Sequence, residues 1–120
     1  MVGLLTKKCV PCEGGIPPLT EAEYSLLLAE VDGWEVVRET KHGVVIPKLT
    51  KQFTFEDFRA AMAFLREVEE LAESEGHHPD FFVQYSRVTF YLWTHAIRGL
   101  HQNDFILAAK LNELHLRFSR

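Results

Sequence analysis

Long apolar runs are missing from this 120-residue chain. None approaches the ~20 residues that a membrane-crossing helix needs, so no membrane span is expected. Positive charge is also in deficit. The formal net charge of −4 gives no general footprint for nucleic acid. Cysteine is scarce, with only Cys9 and Cys12 present. A structural zinc site wants four ligands, and no second Cys pair exists to complete one. A thioredoxin-like redox pair belongs at a strand-to-helix junction, whereas this one lies in a tail. Absent too are G-x-G-x-x-G, a P-loop, a G-x-S-x-G elbow and H-E-x-x-H, so nucleotide, serine-nucleophile and zincin chemistry have no support. The opening MVGLLTKKC has a very short apolar stretch and no small-residue cleavage site. That makes a poor signal peptide, and a cytoplasmic protein is expected.

What is present is an ordinary globular composition, 47% apolar and 25% charged, sufficient for one domain with a real core. Residues 1–18 read as an N-terminal tail, punctuated by Gly14-Gly15 and Pro17-Pro18. The domain is expected over 19–120. Thr20 and Glu23 have capping-box spacing, and Tyr24, Leu27, Leu28 and Val31 follow at helical intervals. This predicts a helix over about 20–31, stopped near Gly33. Trp34 to Arg38 and Val44 to Phe53 are β-rich, with a turn at Thr40 to Gly43, and predict a hairpin. Pro47 marks its second strand as an edge or a bulge.

Thr54 is the expected cap of a second helix, about 55–75, with Asp57 three residues on. Its apolar stripe is Phe58, Ala61, Met62, Leu65, Val68 and Ala72, and Gly76 is the stop. Strands are expected at Phe81 to Tyr85 and Arg87 to His95, and a last helix from about Gln102. Phe105, Ala108, Ala109, Leu111 (or Asn112) and Leu116 would be its apolar side. The order α-β-β-α-β-β-α predicts an α+β fold, a four-stranded antiparallel sheet with three helices on one face. Both faces of the fourth strand carry large apolar groups, with Tyr91 and Trp93 opposite Phe90 and Leu92. The second helix likewise spreads its apolar residues over a wide arc, from Phe55 and Phe58 to Phe64 and Leu71. A single sheet face does not cover so much, so a symmetric oligomer is expected, a tetramer or failing that a dimer.

The stretch SEGHHPDFF, residues 74–82, places two imidazoles at a helix-to-strand junction. His77, His78 and His95 all fall at element ends, where functional groups gather, and imidazole exchanges protons near neutral pH. Glu73, one helical turn before His77, is positioned to orient it. Asp104, near the start of the last helix, is positioned to orient His95. A helix C-terminus favours histidine through its dipole alone, which is the bland alternative. Three histidines also suit catalytic zinc. However, adjacent side chains diverge, so acid–base work is favoured over metal binding. The residues alone give no substrate. His42, His101 and His115 read as surface or core residues.

Glu73-x-x-x-His77-His78-Pro79, then five residues to Tyr85, nine to His95 and eight to Asp104, make a long, restrictive pattern. It resembles the pterin-4a-carbinolamine dehydratase family. Asp32-Gly33-Trp34, the run Lys51 to Phe58, Thr94-His95 and Gly99-Leu100 are similar to that family too, so the likeness covers roughly residues 20–115. The resemblance implies dehydration of a 4a-hydroxytetrahydropterin to quinonoid dihydropterin, in tetrahydrobiopterin recycling beside an aromatic amino acid hydroxylase. It needs no metal or other cofactor.

By the same resemblance His77 and His95 are general acids, and His78 holds the pterin and helps as base. Pro79, Thr94, Ala96 and Ile97 edge the ring, while Glu73 and Asp104 orient histidines. After His95 the run Ala96-Ile97-Arg98 departs from a more polar family segment. Some family members serve as dimerisation cofactors of a homeodomain transcription factor, so a non-catalytic binding module is the alternative. A metal or redox protein resting on Cys9, Cys12 and the histidines is the third reading.

Overall fold

The computed structural model describes residues 3–11 and 14–118. Its elements follow the expected order, with bounds shifted by local chemistry. Helix α1 spans Glu21–Leu28 and has a complete capping box. Thr20 Oγ1 accepts from the Glu23 N–H at 3.2 Å, and Glu23 Oε1 accepts from the Thr20 N–H at 2.8 Å. Strands β1 (Glu35–Lys41) and β2 (Val44–Thr54) form a hairpin closed by His42 and Gly43. Both turn residues have positive φ, 52° and 78°, the requirement of a tight two-residue turn whose twist matches the strands. The turn is therefore shorter than the sequence suggests, and Thr40 and Lys41 join the ladder opposite Val45 and Val44. Pro47 faces Arg38 on β1 but lies beyond the β4 ladder, which begins at Leu49. Its missing N–H thus falls where β2 has one neighbour.

Helix α2 spans Phe58–Glu75 and is capped by Asp57, whose Oδ1 accepts from the Ala60 N–H at 2.8 Å. The expected cap, Thr54, is instead the last residue of β2, opposite Arg87. Sheet pairing carries the chain on past Thr54, with the Phe55 N–H donating to Ser86 O at 2.8 Å. Gly76 ends α2 in the left-handed conformation, φ 67°, as glycine permits. Strands β3 (Asp80–Gln84) and β4 (Arg87–Leu92) follow, then a single 3-10 turn at His95–Ile97 and helix α3, Gln102–Phe118. The antiparallel sheet has the order β1-β2-β4-β3.

Val88, Phe90 and Leu92 on β4 and Leu49 and Phe53 on β2 are buried. They join Phe64, Val68, Phe105, Leu107 and Leu111 of the helices in one core. From Asn103 to Ala108 every residue of α3 is buried. The core cluster explains this breadth, because it includes Leu4 and Cys9 from the N-terminal segment. Leu116, expected on the apolar side of α3, is exposed, and Leu114 is buried in its stead. Trp93, expected on an uncovered face, is buried as well, with Lys48 Nζ 4.6 Å from its ring centroid.

Candidate active site

The end of α2, the start of β3, the turn after β4 and the first turn of α3 converge on one pocket of about 480 Å³. His77, His78, Pro79, Thr94, His95 and Ala96 all line it. Ile97 does not, and Glu73 and Asp104 stand behind its walls rather than in them. How these side chains meet follows from the way α2 ends. At Gly76 the backbone turns left-handed, and both the Gly76 and His77 N–H groups donate to Ala72 O, at 2.9 and 3.3 Å. The helix is over before His77, so helical i, i+4 geometry no longer relates Glu73 to it.

The carboxylate partners accordingly differ from those the spacing suggests. His77 Nε2 lies 2.7 Å from Asp104 Oδ1, not against Glu73. Glu73 instead lies 2.6 Å from His78 Nε2. His95 takes neither, and its Nε2 is 3.9 Å from Asp80 Oδ2. Asp104 is wholly enclosed, at 0% exposure. Its Oδ2 accepts from Thr94 Oγ1 and from the His101 N–H, each at 2.9 Å. As a carboxylate Asp104 can only accept, so the shared hydrogen belongs on His77 Nε2. That leaves Nδ1 as the accepting nitrogen of the neutral ring, or as a second donor when the ring is charged.

His95 is held by stacking. Its ring lies 3.8 Å from that of Trp93, with 27° between the planes. The indole is anchored in turn, because Trp93 Nε1 donates to Asp80 Oδ2 at 3.0 Å. The β4 ladder ends at Leu92, and Thr94 makes only an isolated bridge to Gly99. His95 thus sits in the 3-10 turn rather than at a strand end. The ring of His77 is mostly covered, whereas His78 and His95 are exposed.

Sequence reasoning missed five residues of this pocket, Val10, Gly76, Asp80, Trp93 and Asn103, with Gly76 read only as the stop of α2. Asp80 stands next to Pro79, and Asn103 next to Asp104, so adjacency was the one available signal for them. Nothing in the pattern pointed to Val10, which belongs to the presumed tail. Of the cysteine pair, Cys12 lies outside the described residues. Burial pushes the Cys9 thiol up to about 12, with the negative charge of Glu75 adding to the effect. Cys9 is therefore neutral, and a poor nucleophile or metal ligand near neutral pH. Among the described residues no cluster of three or more His, Cys, Asp or Glu side chains is arranged to hold a metal ion.

Comparison with known proteins places these residues in context. The family model described as pterin 4 alpha carbinolamine dehydratase matches residues 17–114. A relative from Chlorobium luteolum is 48% identical over 114 residues, spanning 94% of this chain and 96% of its own. Another, from Methylococcus capsulatus, is 50% identical over 113 residues, 92% of each chain. Both carry the name "Putative pterin-4-alpha-carbinolamine dehydratase". A crystal structure of a "transcriptional coactivator/pterin dehydratase" from Brucella melitensis superposes with a TM-score of 0.70 at 35% identity. It covers 81% of this chain and 97% of its own.

Proposed function

The chain belongs to the pterin-4a-carbinolamine dehydratase family, whose named members are hydro-lyases, and from that premise we propose that it dehydrates a 4a-hydroxytetrahydropterin by histidine acid–base catalysis. The observation that carries this reading is one pocket lined by three histidines, two of them in close contact with a carboxylate and the third stacked on an anchored indole. Its volume suits a small bicyclic substrate.

The reaction breaks the C4a–O bond, both electrons leaving with oxygen. An imidazolium supplies the proton that makes the departing hydroxyl a water. The N5 lone pair closes a C4a=N5 double bond, and the N5 hydrogen goes to a base. One proton is given and one is taken, and water is the only loss. Neither a metal nor an organic cofactor is needed. Histidine suits both roles near neutral pH, each worth roughly 10²–10⁴-fold. In this reading His77 and His95 act as acids from different sides, while His78 holds the pterin and assists as base. Asp104 behind His77 holds that ring in one orientation, and Glu73 faces His78 in the same way. Pro79, Thr94 and Ala96 border the pterin ring, and Ile97 follows Ala96 in the 3-10 turn.

The pathway in this reading is recycling of a tetrahydropterin such as tetrahydrobiopterin after use by an aromatic amino acid hydroxylase, in the cytoplasm. The assembly is a homotetramer, or a dimer. Phe58, Met62 and Phe81 support it, since all are large, apolar and exposed, and Met62 and Phe81 line one groove with Leu65. The same surface, with the coactivator role that the Brucella protein is named for, favours a second reading as a non-catalytic binding module for a transcription factor. The histidine–carboxylate pairs weigh against that reading, because a docking surface has no use for them. A stopped assay with enzymatically generated 4a-hydroxytetrahydropterin tests the proposal, and acceleration that survives exhaustive chelation is the expected result. No acceleration sinks the enzyme reading. Loss on chelation that zinc restores moves the histidines to a metal site.

A further inference from the structure

The N-terminal segment lies ahead of residue 17, where the family match begins, yet it is fastened to the pocket. We propose that Val10 is a substrate-contacting wall of the pterin pocket and that Asn103 is the positioning residue that holds it there. The proposal rests on the functional reading above. Asn103 Oδ1 accepts from the Val10 N–H at 3.0 Å, and its Nδ2 donates to Val10 O at 2.6 Å. A side-chain amide that takes both polar groups of one residue acts like a rung of sheet and fixes the peptide on both sides of that residue. Asn103 is almost wholly buried, so the clasp is not an accident of the surface.

The preceding residues are tied down as well. The Cys9 N–H donates to Glu75 Oε1 at 2.8 Å, and Lys110 Nζ holds the other Glu75 oxygen at 2.5 Å. Lys8 Nζ donates to Ser74 O. Further along, Pro18 packs so closely on Gly99 that a Cβ there would come within 2.7 Å of it. The Leu19 N–H donates to Leu100 O at 2.9 Å. The segment is thus bound at the His77 side of the pocket by α2 and α3, and again beside the turn that carries His95.

Amid this fixed backbone the Val10 side chain is 56% exposed and lines the pocket. An aliphatic group held so rigidly, yet left uncovered by the fold, is available to cover an edge of a reduced pterin. Asn103 and Asp104 are neighbours, so one turn of α3 fixes both this wall and His77. A contact of this kind exists in ground state and transition state alike. It therefore lowers KM without changing kcat.

The test uses the full chain. Val10→Ala should raise KM about threefold and Val10→Trp about tenfold, with kcat within about twofold in both. Asn103→Ala should raise KM similarly and speed trypsin cleavage after Lys7 and Lys8 roughly tenfold, as release of a docked segment demands. Unchanged KM in both Val10 variants, beside a working parent enzyme, overturns the proposal. So does an Asn103→Ala chain as resistant to trypsin as the parent. If Asn103→Ala does not fold, the Val10 pair decides. A parent chain without dehydratase activity overturns the functional reading instead, and the protease arm still decides whether Asn103 holds the segment.

Discussion

Asp104 and His77 meet at 2.7 Å with the carboxylate entirely removed from solvent. An enclosed carboxylate is costly unless donors surround it, and here Thr94, the His101 backbone and the imidazole do so. The pair therefore fixes the orientation and tautomer of His77, and it ties the first turn of α3 to the segment after α2.

Asp104→Asn tests that linkage. The amide places a donor where one of three donors now points, which costs about 1–3 kcal/mol of stability. The proposed dehydration should fall at least about tenfold, with ~10⁴ as a ceiling from the comparable change behind a catalytic histidine in serine proteases. Denaturant melts and kcat together check it. Unchanged kcat in a folded variant would show that the orientation of His77 is irrelevant to turnover.

His78→Ala and His95→Ala should each lower dehydration by one to several orders of magnitude, within roughly 10²–10⁴-fold for a full acid–base role. Folding should survive, because both rings are exposed. Circular dichroism and the stopped assay read the two effects separately. A double variant with full activity would remove both residues from the chemistry.

His115 predicts an acid-sensitive fold. Burial, then the positive charge of Lys51, lower its pKa below the ordinary 6.5, against an opposing hydrogen bond with the Thr54 backbone. Its ring packs 4.7 Å from that of Phe53 and 5.7 Å from that of Phe64. Below 6.5 the unfolded chain takes up a proton that the fold resists, so stability should decline as pH falls from about 6.5. At higher pH the ring is neutral in both states and the effect vanishes. His115→Gln should flatten this limb of a Tm-against-pH curve. Glu75 acts in a lower window. Burial works to raise its pKa, but hydrogen bonds from Lys110 and the Cys9 N–H outweigh that and lower it. Its contribution is present above the usual carboxylate range and is lost as pH falls through the lowered value. A variant with the parent's slope between pH 5 and 6.5 would clear His115 of any part in it.

Short-range chemistry made much of the fold legible. The Thr20–Glu23 box, the Gly43 turn and the Gly76 stop each depend on a few adjacent residues, and all occur. The Thr54 cap failed because a competing interaction, pairing with Arg87 on a strand 33 positions away, leaves no local trace. The carboxylate partners failed for a related reason. Glu73 and His77 have helical spacing, but whether the helix still runs at His77 depends on where Gly76 turns the chain. The docking of residues 8–10 was invisible, since Asn103 lies 93 positions from Val10 and neither residue type announces a clasp.

The last prediction concerns the surface left uncovered. Phe58 is 50% exposed and Phe81 48%, one at the start of α2 and the other on the edge strand β3. Phe82 and Tyr85 add further exposed aromatic area around the β3–β4 hairpin. An edge strand also leaves backbone donors and acceptors unpaired, and it invites a partner unless blunted by charge or proline. Along β3 the inner residues Phe81, Phe82 and Val83 carry no charge. A second copy that meets this edge satisfies the backbone, while one that meets α2 covers Phe58 and Met62. Two distinct contacts of this kind, each self-complementary, build a tetramer from dimers. Sedimentation at micromolar concentration should show the tetramer, or a dimer if only one contact closes. Met62→Glu, exposed in a single copy and hence tolerable to the fold, should reduce the tetramer to dimers. A monomer of 13.8 kDa for the parent chain would mean that these side chains face water in solution.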